Sequence, residues 1–283
     1  KQEEIKIVER QLGPGIGEQS LSGAYFIHGR MDRFSGEETA IRFSVCWPCK
    51  DYNEMYAKKV YRDDRIAKYF ASKDKGYLEN GIARVWKLRT DLLQKDLESC
   101  LHCNTTVERI DLDKRTLYLR MSGDSRYELK WDLLVNTIPL PVFLTLCDAE
   151  IKESNPFSYR PIFIVRKKLE GSMKFDYTEV RYCASPVCHP WYRLTFRYKA
   201  DGESWAEEEH IEEPAGQDSI KKFPGKIWFD PDKRDEHLRT VSKTRLNLMY
   251  DNKVFCTGRY GKWQPGMITH EAYYELVQML PYA

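Results

Sequence analysis

Long apolar runs are missing from this 283-residue sequence. No stretch of 18 or more apolar residues occurs, so the sequence holds no candidate membrane-spanning helix. A surplus of one charge is missing as well. Lys and Arg number 45 against 43 Asp and Glu, a net charge of +2. A dedicated nucleic-acid binder carries a clear basic surplus, so that class is disfavoured. The first ten residues, Lys1 to Arg10, contain no apolar core of the kind a secretory signal needs. Cysteine is too sparse, at eight residues, for a dense secreted disulfide framework. Reduced thiols and a cytoplasmic setting are expected instead. No Walker glycine-lysine loop, no Ser-His-Asp arrangement and no nucleophile elbow is present. No internal repeat is visible.

What is present fits a globular chain. Hydrophobic residues are 42% and charged residues 31%. The length allows one large domain or two ordinary ones, with enough core to need neither disulfides nor metal. Aromatic residues reach 13%, with 18 Tyr and 7 Trp. Such an inventory builds either a thick core or a pocket for a flat ligand. Two cysteine pairs have C-x-x-C spacing, Cys46 with Cys49 and Cys100 with Cys103. Four thiolates could hold a tetrahedral zinc. The gap between the pairs is longer than a compact zinc ribbon uses, so buried thiols and no metal are expected.

The patterning alternates helices and strands. Ile5 to Val8 reads as a strand, followed by glycines at 13, 15 and 17, and Ala24 to His28 reads as another strand. Asp51 to Phe70 has a helical pattern with Met55, Val60, Ile66 and Tyr69 on one face. Val85 to Leu101 also reads as helix, through Leu88, Leu92, Leu93 and Leu97. Strands are expected at Thr105 to Leu112, Thr116 to Met121 and Arg126 to Lys130. Leu133 to Val135 reads as a buried parallel strand. Further strands are expected at Pro161 to Val165, Tyr177 to Cys183, Tyr192 to Tyr198 and Lys226 to Phe229. The acidic run from Glu203 to Glu213 reads as a solvated edge or loop. Asp235 to Val241 and Thr269 to Leu280 read as helices, with a strand at Lys253 to Cys256.

One segment carries a motif. A strand, then Gly258-Arg259-Tyr260-Gly261-Lys262-Trp263, then a helix, resembles the C-terminal flavin-binding segment of one FAD superfamily. That superfamily contains amine oxidases, protoporphyrinogen oxidases and UDP-galactopyranose mutases. Three other segments resemble the same template in the same order. Ile5 to Arg10 resembles the second Rossmann strand, which implies that Glu9, with Arg10 beside it, meets the adenosine ribose. Thr105 to Ile110 resembles the segment that sets Val107 against adenine. Asp132 to Pro139 resembles the strand ending in a Thr-x-Pro turn, here Thr137 and Pro139, by the dinucleotide. The resemblance further implies that Gly258, Arg259, Gly261 and Trp263 line the flavin. It places the Met267 and Ile268 amides at the pyrimidine side of its ring. That family's first strand, its G-x-G-x-x-G turn and its first helix have no counterpart here. The abrupt opening on a strand leads us to expect such a segment upstream. A partner chain that supplies it, or a scaffold that has lost the cofactor, are the alternatives.

The resemblance implies an α/β fold, a discontinuous Rossmann-like FAD-binding domain with an inserted, mostly antiparallel β substrate domain. The FAD-binding part is expected at residues 1–35, 100–145 and 225–283, a helical segment at 36–99, and the substrate domain at 146–224. The implied function is a FAD-dependent oxidoreductase of the amine-oxidase-like class, with hydride transfer from a small substrate to flavin. Two rivals stand beside it. One is a redox-neutral, flavin-dependent sugar-nucleotide mutase. The other is a non-enzymatic binding subunit or zinc-stapled interaction domain. Within the middle section, His189 could shuttle protons but reads better as structural. Arg193 and Arg197 alternate on one strand face around Thr195, facing either an anionic substrate or solvent. Cys256 reads as buried.

Overall fold

The computed structural model describes residues 6–8, 26–73, 80–89, 92, 100–149, 156–171, 173–200, 203–217 and 220–279. It is a mixed α/β structure that divides into two compact units. The first comprises residues 1–36, 86–157 and 235–283, and the second comprises residues 37–85 and 158–234. Among the described residues, no helix is long and apolar enough to cross a membrane.

The first unit contains two small parallel sheets and one antiparallel meander. β1 (Ile7–Val8) pairs in parallel with β5 (Leu101–His102). β6 (Thr105–Asp111), β7 (Thr116–Met121) and β8 (Arg126–Lys130) form the meander. Thr105, Ile110, Leu117 and Leu119 face the interior, and a register shift between Val107 and Arg109 keeps Thr105 and Ile110 on one face. β9 (Leu134–Asn136) then pairs in parallel with β15 (Val254–Cys256). α3 (Leu140–Leu146) has Pro139 as its N-cap and Pro141 in its first turn, where a missing amide costs no helical bond. It buries Leu140, Phe143 and Leu144. The long α4 (Arg234–Asn252) precedes β15, and its residues from Asp235 onward belong to this unit. The short α5 (Gly258–Gly261) and the terminal α6 (Thr269–Met279) follow β15.

The second unit is built on a mixed sheet. Its strands are β3 (Ser35–Cys46), β4 (Gly81–Leu88), β10 (Ser158–Lys168), β11 (Tyr177–Cys183), β12 (Trp191–Tyr198), β13 (Trp205–His210) and β14 (Ile220–Trp228). The order is β14-β10-β13-β12-β11-β3-β4. Pairing is antiparallel from β14 to β11 and parallel between β11 and β3. The unit boundary cuts the ends of β3 and β4, and Trp86 and Lys87 pair with Ile27 and Phe26 of β2 (Phe26–Ile27) within the first unit.

Several sequence expectations are corrected. Val85 to Leu88 is strand, because β-favouring Val85 and Trp86 continue a ladder, whereas the leucine spacing suggested helix. The stretch 36–99 thus contains β3 and β4 besides its helices. Asp51 to Phe70 is two helices, α1 (Tyr52–Tyr61) and α2 (Asp64–Lys73), broken where Arg62 turns left-handed at φ 54°. Met55, expected inward, is 41% exposed. The largest correction is the acidic run. It is no loop: β13 lies inside the sheet, between β10 and β12. Glu207 and Glu209 are buried there because neighbouring strands supply cations. Arg166 on β10 binds Glu207, and Arg193 on β12 binds Glu209 at 2.7 Å. On the opposite face Glu208 takes Lys167 at 2.7 Å and His210 at 3.1 Å. A buried carboxylate is tolerable only with such partners.

The two faces of this sheet differ. One carries the cluster of Cys183, Trp191, Leu194 and Ala206, with Cys46, Leu169 and Phe196 against it. On the other, α1 lays Tyr56 against Tyr182 and Tyr192, with ring centroids 5.7 and 6.1 Å apart.

Candidate functional site

In a parallel sheet, ligands bind beyond the carboxyl ends of the strands, where loops leave the ladder. In the first unit, β9 and β15 end side by side, with Asn136 the register partner of Cys256. Short-range bonds hold the chain just beyond both strand ends. The Asn136 side chain accepts from the Ile138 amide at 3.0 Å and donates to the Ile138 carbonyl at 3.2 Å. This turn sets Thr137 outward and aims the chain into Pro139 and α3. The Asn136 carbonyl accepts from the Thr257 amide at 3.0 Å, which fastens the second strand end to the first. Gly261 then packs on the same carbonyl. A Cβ at 261 would overlap that oxygen and reach to 3.2 Å from the Thr137 Cα. The motif glycine at 261 is therefore required by a close backbone approach.

The segment after Gly261 is braced on several sides. Trp263 is buried at 1% exposure and meets Phe157 edge-on, with centroids 5.5 Å apart. Arg259 donates from Nε to the Met267 carbonyl at 3.1 Å, closing the turn between α5 and α6. From α4, Arg245 donates to the Lys262 carbonyl at 3.3 Å and to Ser242 at 3.3 Å. Burial lowers the Arg245 guanidinium below its ordinary value. Lys262 binds Glu275 on α6 at 2.6 Å. Cys256 is buried, as its pattern suggested, and burial raises its thiol.

The start of α6 has two features that bear on a ligand. Ile268 donates its amide to Glu271 at 3.0 Å, so this exposed carboxylate occupies a helix-start donor from within the chain. The next residue but one, His270, lies flat on Gly29, where a Cβ would overlap the imidazole. Its Nδ1 is buried and has no hydrogen-bond partner among the described residues. Tyr274 anchors the same contact by donating to the Arg30 carbonyl at 2.5 Å.

The structure brings together Thr137, Pro139, Gly258, Arg259, Gly261, Trp263, Met267 and Ile268 around these two strand ends. Val107 sits half-buried on β6, opposite Leu119. Glu9 and Arg10 lie outside the described residues. The cysteine pairs of the zinc alternative fall in different units. Among the described residues, no group of three or more His, Cys, Asp or Glu is arranged to hold a metal. In the second unit, Arg193 and Arg197 do share a face with Thr195, but Arg193 serves the buried Glu209. His189 stacks on Trp191, with centroids 4.5 Å apart, in keeping with a structural role. Sequence reasoning missed Asn136 and His270. An Asn two residues before an x-Pro step is a readable turn signal. Nothing local marks His270, whose partner Gly29 is far away in sequence.

No family model matches the chain, and no curated protein matches it. Among solved structures it is similar to a CLA-producing fatty acid isomerase from P. acnes, at 13% identity and TM-score 0.44, covering 77% of this chain and 56% of that one. It is similar to a flavoprotein/dehydrogenase from Cytophaga hutchinsonii, at 11% identity and TM-score 0.37, covering 88% and 57%. It is similar also to CtdE in complex with FAD, at 10% identity and TM-score 0.37, covering 76% and 54%. The chain spans about half the length of such structures.

Proposed function

We propose that the chain is a FAD-dependent oxidoreductase of the amine-oxidase-like class, acting on a small substrate. The observation that carries this reading is the junction of Asn136 and Gly261. Two parallel strand ends meet there through backbone contacts that only glycine permits. The junction also places the resemblance-bearing segments 132–139 and 258–268 together. The site residues fit a flat cofactor in two respects. The His270 Nδ1 is a buried polar atom that a ligand could satisfy. The α6 start offers backbone donors once the exposed Glu271 carboxylate moves aside. FAD, when bound, would supply the acceptor for hydride taken from a C–N or C–C bond. Thr137, exposed at the turn, and Gly258, with open space on its Cβ side, would permit close approach, and His270 would orient the ring edge.

Titration of the purified chain with FAD tests this reading. Saturable quenching of flavin fluorescence, followed by anaerobic bleaching with an amine, is the expected result. A chain that leaves the FAD spectrum and fluorescence unchanged contradicts it.

A further inference from the structure

The second unit holds a pair of thiols that neither the C-x-x-C spacing nor the flavin reading uses. Cys46 ends β3 and Cys183 ends β11, and the two are register partners on adjacent parallel strands. Partners of this kind point to the same face, with backbones about 4.8 Å apart. That lies within the ~4.4–6.8 Å that a disulfide bridges between Cα atoms. Both are free thiols in one apolar cluster, Cys183 fully buried and Cys46 partly exposed.

A fixed cation stands beside them. The Lys59 ammonium on α1 is within charge range of both Cys183 and Cys46. It is held by the carbonyls of Ser185, His189 and Trp191, each at 2.8 Å. These three bonds anchor it at the mouth of the loop that leaves β11. Cys183 itself donates to the Ser185 carbonyl at 3.5 Å.

We propose that Cys46 and Cys183 form a reversible oxidation site, closed to a disulfide by hydrogen peroxide and reopened by a dithiol. Cys46 is the sulfur a small peroxide can reach. Its thiolate attacks one peroxide oxygen; an S–O bond forms, the O–O bond breaks, and the departing hydroxide takes a proton to give water. The Cys183 sulfur then attacks the Cys46 sulfur. The S–S bond forms, the S–O bond breaks, and hydroxide leaves as water with the proton shed by Cys183. The two thiols together lose two electrons and the peroxide gains two. Lys59 stabilises the thiolate in each step. Burial and the neighbouring Cys183 push the Cys46 thiol up, against Arg181 and Lys59, which pull it down. Oxidation is therefore slow at neutral pH and accelerates as pH rises. Tyr52, also beside the pair, is pushed up by burial and stays neutral across this range.

The test treats the folded full chain with hydrogen peroxide, blocks remaining thiols, digests without reductant and weighs the peptides. The expected product is a Cys46–Cys183 cross-linked peptide, lighter by two hydrogens and lost on dithiol treatment. Cys46→Ser and Cys183→Ser each abolish it. Lys59→Met slows it about tenfold, the effect of raising one thiol by one pKa unit. If Cys183→Ser does not fold, the partly exposed Cys46→Ala supplies the control. Cys46 driven to sulfinic acid while Cys183 still alkylates after denaturation overturns the proposal, as does cross-linking of Cys46 to Cys49.

Discussion

Gly261 rests on the main-chain carbonyl of Asn136, so close that the smallest side chain would overlap the oxygen. This contact joins the end of β15 to the end of β9. Gly261→Ala must push the two apart, at a cost of about 1–3 kcal/mol. Urea unfolding should show the loss, and flavin affinity should fall with it. An alanine variant as stable as the parent contradicts the packing described.

Glu271 engages the Ile268 amide and brings a negative charge to the helix start where the flavin edge is proposed to sit. Glu271→Ala frees that donor and removes the charge. FAD should bind severalfold more tightly, as a change of about 0.5–1 kcal/mol implies. Weaker binding by the variant, read by fluorescence titration, would place the flavin elsewhere.

Glu209 is buried within the sheet and accepts from both Tyr192 and Arg193. Burial, then the adjacent carboxylate, pushes the Tyr192 phenol well above its ordinary value, so it stays a neutral donor. Glu209→Ala removes the carboxylate that both donors share and should cost about 3 kcal/mol. Glu209→Gln keeps an acceptor for the phenol and should cost less. Equal losses in denaturant melts argue against the shared network.

Acid should weaken the second unit through Glu179. Burial pushes its carboxyl up, but donors from Arg181, Ser44 and Tyr177 outweigh that and leave it below its ordinary 4.5. A carboxylate held low in the folded state adds stability above its unfolded value. That stability is lost as pH falls through the folded value. Glu179→Gln should therefore flatten the decline of melting temperature between about pH 5 and 3. An unchanged acid limb counts against this assignment.

Local alternation made much of the fold legible. The meander strands Thr116–Met121 and Arg126–Lys130, and Tyr177–Cys183 in the second unit, match the patterned residues. The motif from Gly258 to Trp263 located one side of the candidate site, and Thr137 to Pro139 the other. The features that stayed hidden depended on distant partners. Glu207 and Glu209 look like surface residues until Arg166 and Arg193 arrive from flanking strands. Val85 and Trp86 looked helical because the leucines beyond them share helical spacing, while Phe26 and Ile27, which pair with Lys87 and Trp86, are remote in sequence. His270 acquires its meaning only from Gly29. Spacing couples Cys46 to Cys49, three residues away, whereas the sheet couples it to Cys183.

The most direct test of the flavin site is backbone hydrogen exchange on the full chain with and without FAD. Peptides covering Asn136 to Pro139 and Thr257 to His270 should exchange more slowly when FAD is present. Saturable FAD binding with unchanged exchange in both segments would contradict the site, and no binding at all would contradict the proposed function.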